Sequence, residues 1–448
     1  MRLKSPQANI MHSNDPESKP CYWSGGILRS ALAHCAVFLI YSVTLVFALT
    51  APFLRKLLRL KRAQRTPGEI QVLVTGTFYN EGWIRGHLVP LAMAQTVGKV
   101  WVVCDRPWFP LAKACYVVPP SWLRRVCGRS LSRIIMVFVV AIQQKPDLLM
   151  GYHIMPNSLI CLVAASLLGA RAAYQMTGGP IQLIGGGCGS ENSLLCRLGR
   201  KSALLERLLF ATVRHFDLVV VRGQSALAFA RNHGFGKEQI VITAGIDTDV
   251  FRPGEALPEY DAICVSRLVA GKGIEYLVEV LSHCHRNGKK FRVAIVGDGP
   301  IKPILSDMLV QYDLKEQVSL LGRRKDISSL LKIAKIFVMT SQTEGMSIAL
   351  LEALAAGLPA AIIPVGDLSD AVGDGINGIF LNGKDSLVAA SRLKELLEND
   401  AAVKRMSGHA RHIAEERYSI KVIAQRWDSY LSGSVNAQHQ SKAGTKYA

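Results

Sequence analysis

Two glutamates lie in an apolar segment where an ionised side chain is costly. Glu344 and Glu352 have seven residues between them in the stretch TEGMSIALLEALAAGLPA, residues 343–360. A carboxylate in a dry core is strongly destabilising unless another group pairs with it. The pattern therefore indicates that these two side chains have a specific partner, either in the protein or in a bound ligand.

The residues around the two glutamates predict a strand, a turn and a helix. KIFVMTS has the composition of a buried strand, SQTEG that of a turn, and MSIALLEALAAG that of a helix. Gly357 and Pro359 are the usual stop signals at the helix end. Glu344 is then expected in the loop before the helix, facing a cleft, and Glu352 two turns further along.

The start of this helix is an expected anion site. The first backbone N–H groups of a helix have no partner within the helix, and they can bind phosphate. A phosphate there, with a carboxylate on either side, fits a ligand with phosphate in the middle and hydroxyls at both ends, which is a nucleotide sugar. The residues that contribute these amides are Gly345, Met346, Ser347 and Ile348.

A second candidate anion site precedes the glutamates in the chain. In VSRLVAGKG, Arg267 and Lys272 follow a predicted strand beside a glycine-rich turn. Two cations on one loop can hold a diphosphate. On the motif alone, two solvated surface charges are an equally good interpretation.

The elements that must position these residues alternate between short β-rich runs and helical stretches. The alternation starts at residue 69 and restarts after the linker FRPGEALPEY, residues 251–260. Repeated strand–helix–strand units predict parallel sheets covered on both faces, so the fold class is α/β with two doubly wound, Rossmann-like domains. Ligands of such sheets bind beyond the carboxyl ends of the strands, which places the chemistry in the cleft between the domains.

The second half of the chain resembles a known enzyme family. The segments SRLVAGKG, VGDGP, SLLGRRKDI, TEGMSIALLEALAAGLPA and DGINGIFL occur in the order found in glycosyltransferase family four, retaining enzymes of the GT-B superfamily that are also called glycosyl transferases group 1. The resemblance is strong over 240–432 and weaker over 69–239. It implies a GT-B fold, with an acceptor domain followed by a nucleotide-sugar donor domain.

The resemblance also implies roles for individual residues. Arg267 and Lys272 would hold the donor diphosphate. Glu344, as a catalytic residue, and the amides after it would hold the sugar, and Glu352 would hold the ribose. His153, in PDLLMGYHIMPNS, would touch the acceptor or the transferred sugar, although a structural histidine or a role for Tyr152 in its place stays open.

Some motifs depart from the family pattern or imitate another one. Asp370 stands in GDLSD where the family usually has a glutamate, which leaves its role open, and Gly345-Met346-Ser347 replaces the common Gly-Phe-Gly. Asp247 and Asp249 form a DTD sequence, which is similar to the metal-binding Asp-x-Asp of a different glycosyltransferase architecture; between the domains we interpret it as a structural turn. The ten cysteines form no CxxC pair, which indicates free thiols and no zinc site. Arg267, Lys272 and the helix dipole already meet the charge of a diphosphate, so no obligatory metal and no other cofactor is expected.

The N-terminal region predicts a membrane anchor. Residues 31–54 contain no Asp, Glu, Lys or Arg, and a helix of this length crosses a hydrocarbon core of about 30 Å. The basic flank that follows, 55–68, predicts a single-pass inner-membrane protein whose later domains are cytoplasmic. A helix lying in the interface, a buried hairpin and a signal peptide are the alternatives.

The charge distribution points to an anionic membrane. The formal net charge is +19, and residues 1–255 carry 29 of the 53 Lys and Arg against 13 of the 34 Asp and Glu. No recognised nucleic-acid-binding motif accompanies this charge, so nucleic acid is not an expected partner. Two basic, apolar stretches, 120–140 and 196–216, suit anionic headgroups or are solvated helix faces. The first contains Arg124, Arg125, Arg129 and Arg133.

The sequence thus predicts a membrane-anchored retaining glycosyltransferase. It would transfer a sugar from a UDP- or GDP-sugar to a lipid-linked glycan or glycolipid, in polysaccharide or glycolipid biosynthesis. The alternatives are a GT-B nucleotide-sugar epimerase and an inactive basic membrane-binding protein. The expected organisation is a tail (1–30), an anchor (31–54), a basic linker (55–68), an acceptor domain (69–250), a donor domain (251–418), a helix crossing back to the first domain (419–432) and a disordered tail (433–448).

Overall fold

The computed structural model describes residues 27–57, 69–78, 80–190, 192–255 and 257–444. Most of the predicted N-terminal tail and basic linker therefore lie outside the described residues. Within the described part, the strands form two parallel sheets, one of seven strands and one of six.

The first sheet has the strand order β3-β2-β1-β4-β5-β6-β7, and all its pairings are parallel. The chain reverses its direction of winding between β1 and β4, which is where doubly wound sheets open a crevice for ligands. Its strands are β1 (Ile70–Thr75), β2 (Val97–Val103), β3 (Ala114–Val117), β4 (Leu148–Tyr152), β5 (Arg171–Gln175), β6 (Leu218–Val221) and β7 (Glu238–Val241).

The second sheet has the order β10-β9-β8-β11-β12-β13, again all parallel, with the reversal between β8 and β11. The strands are continuous apolar runs because helices cover both faces. They are β8 (Tyr260–Val265), β9 (Val293–Val296), β10 (Val318–Gly322), β11 (Ala334–Met339), β12 (Ala360–Ile362) and β13 (Gly378–Phe380).

Helices connect the strands as crossovers and flank them at both chain ends. They are α1 (Ile27–Leu57), α2 (Glu81–Met93), α3 (Ser121–Gln144), α4 (Leu159–Leu168), α5 (Ser193–Cys196), α6 (Ala203–Val213), α7 (Gln224–Asn232), α8 (Ile274–Arg286), α9 (Lys302–Gln311), α10 (Ile327–Leu331), α11 (Ile348–Ala355), α12 (Ser386–Leu397), α13 (Asp400–Tyr418) and α14 (Ile420–Gly444).

Helix α1 packs against the first sheet's own helices rather than standing apart from them. It contacts α4 and α6, and the buried Tyr41 hydroxyl donates to the Gly186 carbonyl oxygen at 3.0 Å. Its other side is apolar and uncovered, since Leu32, Leu39 and Phe53 are 62%, 62% and 70% exposed. Within α1, Ser30–Ala51 is long and apolar enough to cross a membrane, and so is α3. Helix α1 therefore packs on the first domain along one side and exposes apolar residues along the other.

The two sheets are joined at a double crossing of the chain. The Ile246 N–H donates to Tyr418 O at 2.7 Å, and the Ile420 N–H donates to Ile246 O at 3.0 Å. Beyond this junction α14 returns to the first sheet, where Ile423 and Trp427 are buried with β1 and α2. The helix continues past the predicted end at 432 to Gly444, so the prediction of a disordered tail is wrong for 433–444.

Two strands were not predicted from the sequence. β3 and β13 are the edge strands of one sheet and the other, and they have only four and three residues. Short edge strands carry little of the continuous apolar signal that identifies central parallel strands. The other eleven strands lie in apolar runs of the sequence, such as IQVLVTG for β1 and KIFVMTS for β11.

Candidate functional site

Glu344 lies in the loop that connects β11 to α11. The Ser347 side chain caps α11, because its hydroxyl oxygen accepts from the Leu350 N–H at 3.4 Å. The helix therefore begins at Ile348, with Gly345, Met346 and Ser347 in the turn before it. The sequence predicted a helix from Met346, so the helix begins two residues later than predicted, and its start lies beside Glu344.

The partner of Glu344 in this structure is Lys272. The Lys272 ammonium lies 2.6 Å from Glu344 Oε1, and the two side chains are only 17% and 15% exposed. The Ser341 hydroxyl donates to the same oxygen at 3.3 Å. One of the two glutamates is thus paired with a cation that the sequence assigned to the donor diphosphate.

Hydrogen bonds to backbone carbonyl groups hold the Lys272 loop against the Glu344 loop. The Gln342 N–H donates to Gly271 O at 2.9 Å, and the Thr340 hydroxyl donates to Gly273 O at 2.7 Å. Gly273 has φ +62°, and a Cβ there would lie 2.0 Å from Thr340 O, so only glycine fits. The two loops form one unit at the carboxyl edge of β8 and β11.

Arg267 belongs to the same loop as Lys272 but lies further out. It follows β8, its side chain is exposed, and its carbonyl accepts from the Val269 N–H at 3.0 Å. The structure places Arg267 at the edge of the site and Lys272 inside it. Their assignment to a diphosphate stays a prediction.

Glu352 lies in the second turn of α11 and is half-buried. Burial raises the pKa of its carboxyl to about 8, so the group is largely protonated at neutral pH in the free protein. A Cβ on Gly82 would lie 3.8 Å from Glu352 Oε1, which places this side chain against the first turn of α2 in the other domain. The carboxyl faces the space between the domains.

His153 follows β4 directly and has a left-handed backbone, with φ +62°. Non-glycine residues rarely adopt this conformation, and such strain is typical of functional sites. Its Nδ1 lies 3.0 Å from the Thr177 hydroxyl and 3.2 Å from Gln182 Nε2, and its ring stacks on Trp83 at 6.0 Å. The side chain is therefore held by groups of its own domain.

The loop that contains Glu344 meets the loop of Thr177 and Gly179, next to His153, across the cleft. A Cβ on Gly345 would lie 3.1 Å from Thr177 O, and one on Gly179 would lie 3.9 Å from Gly345 Cα. Thr177 also contacts His153, so the predicted catalytic residues Glu344 and His153 lie on neighbouring loops. Lys272, Glu344, Gly345 and His153 are brought together, with Glu352 further along α11.

Two contacts between the domains were not foreseen from the sequence. Asp370 Oδ2 accepts from the Gln224 N–H at 2.6 Å, and Asp367 Oδ1 accepts from the Ala226 N–H at 3.1 Å. Burial raises the pKa of the Asp367 carboxyl. Asp370, whose role the sequence left open, therefore contacts the start of α7 in the first domain. It is not one of the residues that the structure brings together around Glu344.

The DTD sequence forms a turn in this structure. Asp247 Oδ1 accepts from the Asp249 and Val250 N–H groups, both at 3.2 Å. Among the residues that the structure describes, no three His, Cys, Asp or Glu side chains form a cluster that could hold a metal ion. Independence from metal remains a prediction.

The second half of the chain is similar to known proteins. Residues 246–413 match the profile described as "Glycosyl transferases group 1". These residues are thus similar to a glycosyl transferases group 1 domain. Alpha-monoglucosyldiacylglycerol synthase of Acholeplasma laidlawii is 33% identical over 170 residues, which are 37% of this chain and 42% of that relative. The chain thus spans less than half of this relative's length.

Solved structures match the two-sheet architecture over most of the chain. Anabaena HepE in complex with UDP-glucose superposes with a TM-score of 0.63 at 18% identity, covering 82% of this chain and all of HepE. Sucrose-phosphate synthase from Thermosynechococcus elongatus gives 0.64 at 14% identity, with 82% and 100% coverage. The fold is GT-B, as the sequence predicted.

Proposed function

We propose that this protein is a glycosyltransferase that moves a sugar from a nucleotide-sugar donor to a hydroxyl of a lipid-linked glycan or glycolipid. The observation that carries the proposal is the Lys272–Glu344 pair at a helix start, facing His153 across the cleft. Lys272 supplies a cation, the helix start supplies an anion site, and Glu344 can accept hydrogen bonds from hydroxyl groups. Together these three features suit a sugar diphosphate. The match of HepE, whose structure holds UDP-glucose, supports this donor class.

In this proposal Lys272 and the amides before α11 stabilise the charge of the departing diphosphate. Positioning and charge stabilisation are large terms in catalysis of this kind. Lys272 is paired with Glu344 in the free protein, so donor binding has to shift Lys272 toward phosphate and release Glu344 for the sugar hydroxyls. Glu352 then meets the ribose hydroxyls.

The mechanism we propose is retaining and independent of metal. The acceptor hydroxyl attacks from the face that the diphosphate leaves, and the leaving phosphate oxygen takes its proton, so the new glycosidic bond forms as the bond to phosphate breaks. His153 orients the acceptor or the sugar. No carboxylate nucleophile is needed in this scheme.

We further propose that the enzyme works at an anionic membrane surface. The uncovered apolar side of α1 would enter the lipid, as the similarity to alpha-monoglucosyldiacylglycerol synthase and the basic first half of the chain support. A single-pass helix in an inner membrane, with both domains cytoplasmic, is the topology that the sequence predicts.

The test is transfer from a panel of UDP-, GDP-, ADP- and TDP-sugars by the full chain in detergent, with membrane lipid extract as acceptor. Glu344→Gln should abolish release of nucleoside diphosphate, while the exposed Glu316→Gln control should keep it. The anomeric configuration of the product, read by NMR, tests retention, and EDTA tests metal dependence.

Two outcomes would replace the proposal. Conversion of donor to a second nucleotide sugar without acceptor would identify an epimerase. Failure of every nucleoside diphosphate to bind would identify an inactive membrane-binding protein.

A further inference from the structure

A cavity of about 370 Å³ opens at the carboxyl ends of β1 and β2, in the first domain. It is separate from the Lys272 loop, which belongs to the second domain. Its lining combines arginines, aromatic side chains and one carboxylate, namely Phe78, Asp105, Arg106, Trp108, Arg124 and Arg129.

The cavity carries an excess of positive charge. Its carboxylate, Asp105, is already paired, because the buried Arg133 donates to Asp105 Oδ2 at 3.0 Å. No carboxylate of the described residues forms an ion pair with Arg106, Arg124 or Arg129. Three arginines therefore line this space without an ion-pair partner among the described residues.

The break in α3 explains how two of these arginines reach the same cavity. Residues five apart on a continuous helix point about 140° away from each other. Gly128, between Arg124 and Arg129, has φ 71° and ψ 175°, which is not helical. The interruption turns the first segment of α3 relative to the second, and both arginines line the cavity.

The aromatic walls connect the cavity to the proposed reaction site. The Arg106 guanidinium lies over the Trp108 ring at 4.1 Å, which holds it at the cavity wall. Phe78 lies 5.6 Å from Trp83, whose ring stacks on His153. The cavity is thus two ring contacts from the histidine that we place beside the acceptor.

We propose that this cavity binds a phosphoryl or diphosphoryl group carried by the acceptor, an inference that rests on the proposed function. Guanidinium groups bind phosphate oxygens in bidentate fashion. Three of them suit a ligand with two negative charges, such as a phosphoryl group, better than a ligand with one carboxylate. Asp105 Oδ1 is buried and accepts no hydrogen bond from the described residues, so it is available to a sugar hydroxyl next to that group. The donor diphosphate has its own cations in the other domain.

The first measurement is binding of inorganic pyrophosphate to the full chain in detergent, by calorimetry and by Trp fluorescence. All variants carry Lys272→Ala, which removes a cation of the donor site. Arg124→Ala and Arg129→Ala should each weaken binding about tenfold, the size of one charge-assisted contact. Arg125→Ala is the matched control, because Arg125 is exposed on the same helix and does not line the cavity. Trp108→Phe should remove the fluorescence change.

Further probes distinguish the sources of the anion. Glucuronate, which offers a carboxylate, should bind much more weakly than pyrophosphate. Vesicles of phosphatidylcholine with phosphatidylglycerol test a bilayer headgroup against pure phosphatidylcholine. If Arg124→Ala and Arg129→Ala lower vesicle binding and leave pyrophosphate binding unchanged, the surface docks on lipid and the proposal is wrong. Equal binding of glucuronate, or equal effects of Arg125→Ala, would overturn it as well.

Transfer assays separate this inference from the proposed function. In an active enzyme with Lys272 intact, Arg129→Ala should raise the KM for acceptor and leave the KM for donor unchanged. An unchanged acceptor KM overturns the acceptor assignment. If the intact protein transfers no sugar at all, the proposed function fails, while the pyrophosphate measurements still report whether the anion site exists.

Discussion

Replacing Glu344 by glutamine should have opposite effects on binding and on turnover. The substitution keeps the shape of the side chain and removes its charge, so Lys272 loses its anionic partner. We expect tighter binding of a bare nucleoside diphosphate and loss of sugar transfer. Most substitutions at a binding site weaken both ligand binding and turnover. Tighter binding together with lost transfer would therefore identify the release of Lys272.

The size of the effect follows from the ion pair. Unit charges in contact interact by roughly 5 kcal/mol at the effective dielectric of a protein surface, and desolvation offsets most of this gain. A net contribution of about 1.5–3 kcal/mol is typical of a hydrogen bond to a charged group. About 1.4 kcal/mol corresponds to a tenfold change in affinity. Releasing Lys272 should therefore raise the affinity for the nucleoside diphosphate about tenfold.

The assay is calorimetric titration of the nucleoside diphosphate that the donor panel identifies. Lys272→Ala should weaken its binding, and the exposed Lys315→Ala control should leave it unchanged. The reasoning is refuted if Glu344→Gln lowers the diphosphate affinity as much as Lys272→Ala does. It is also refuted if Glu344→Gln still transfers sugar at the wild-type rate.

Two further predictions concern Glu352 and Gly345. The raised pKa of Glu352 means that the folded state holds a proton that the unfolded state has lost, so the free energy of unfolding should fall as pH rises from the ordinary glutamate range to about 8. Glu352→Gln should flatten this slope in melts at pH 5.5 and 8.5, and an unchanged slope would exclude the explanation. Gly345→Ala should slow transfer about tenfold, because its Cβ would press on Thr177 O and displace the loop. Gly408→Ala, where a Cβ meets nothing within 4 Å, is the control, and equal rates for the two variants would contradict this account.

The fold was largely predictable because buried parallel strands are continuous apolar runs. That signal identified the central strands of both sheets and the helix after Glu344. It failed for β3 and β13, which are short and lie at sheet edges. It also failed for 433–444, where a polar composition indicated a tail and the structure has a helix.

The individual site residues were predictable, but their contacts were not. Lys272 and Glu344 were assigned to different parts of the donor, and nothing local in the sequence shows that residues 72 positions apart form an ion pair. Thr177 and Gln182, which hold His153, carry no distinctive spacing. Asp370 was noticed only because it departs from the family pattern.

Arg133 shows how a helical pattern can mislead. The sequence placed it with Arg124, Arg125 and Arg129 on one solvated or membrane-facing surface. The structure buries Arg133 against Asp105, because the break at Gly128 changes which side of the helix faces the domain. Sequence periodicity assumes a continuous helix, so it does not show that Arg133 is buried.

The double crossing of the chain brings both connections between the domains to one place. Ile246 on the outward path is hydrogen-bonded to Tyr418 and Ile420 on the return path, and the Tyr418 hydroxyl donates to Asp370 O at 3.1 Å. Both connections therefore share one set of hydrogen bonds. A substitution that disturbs this set would affect both connections at once, although it lies outside the groups proposed to contact the donor.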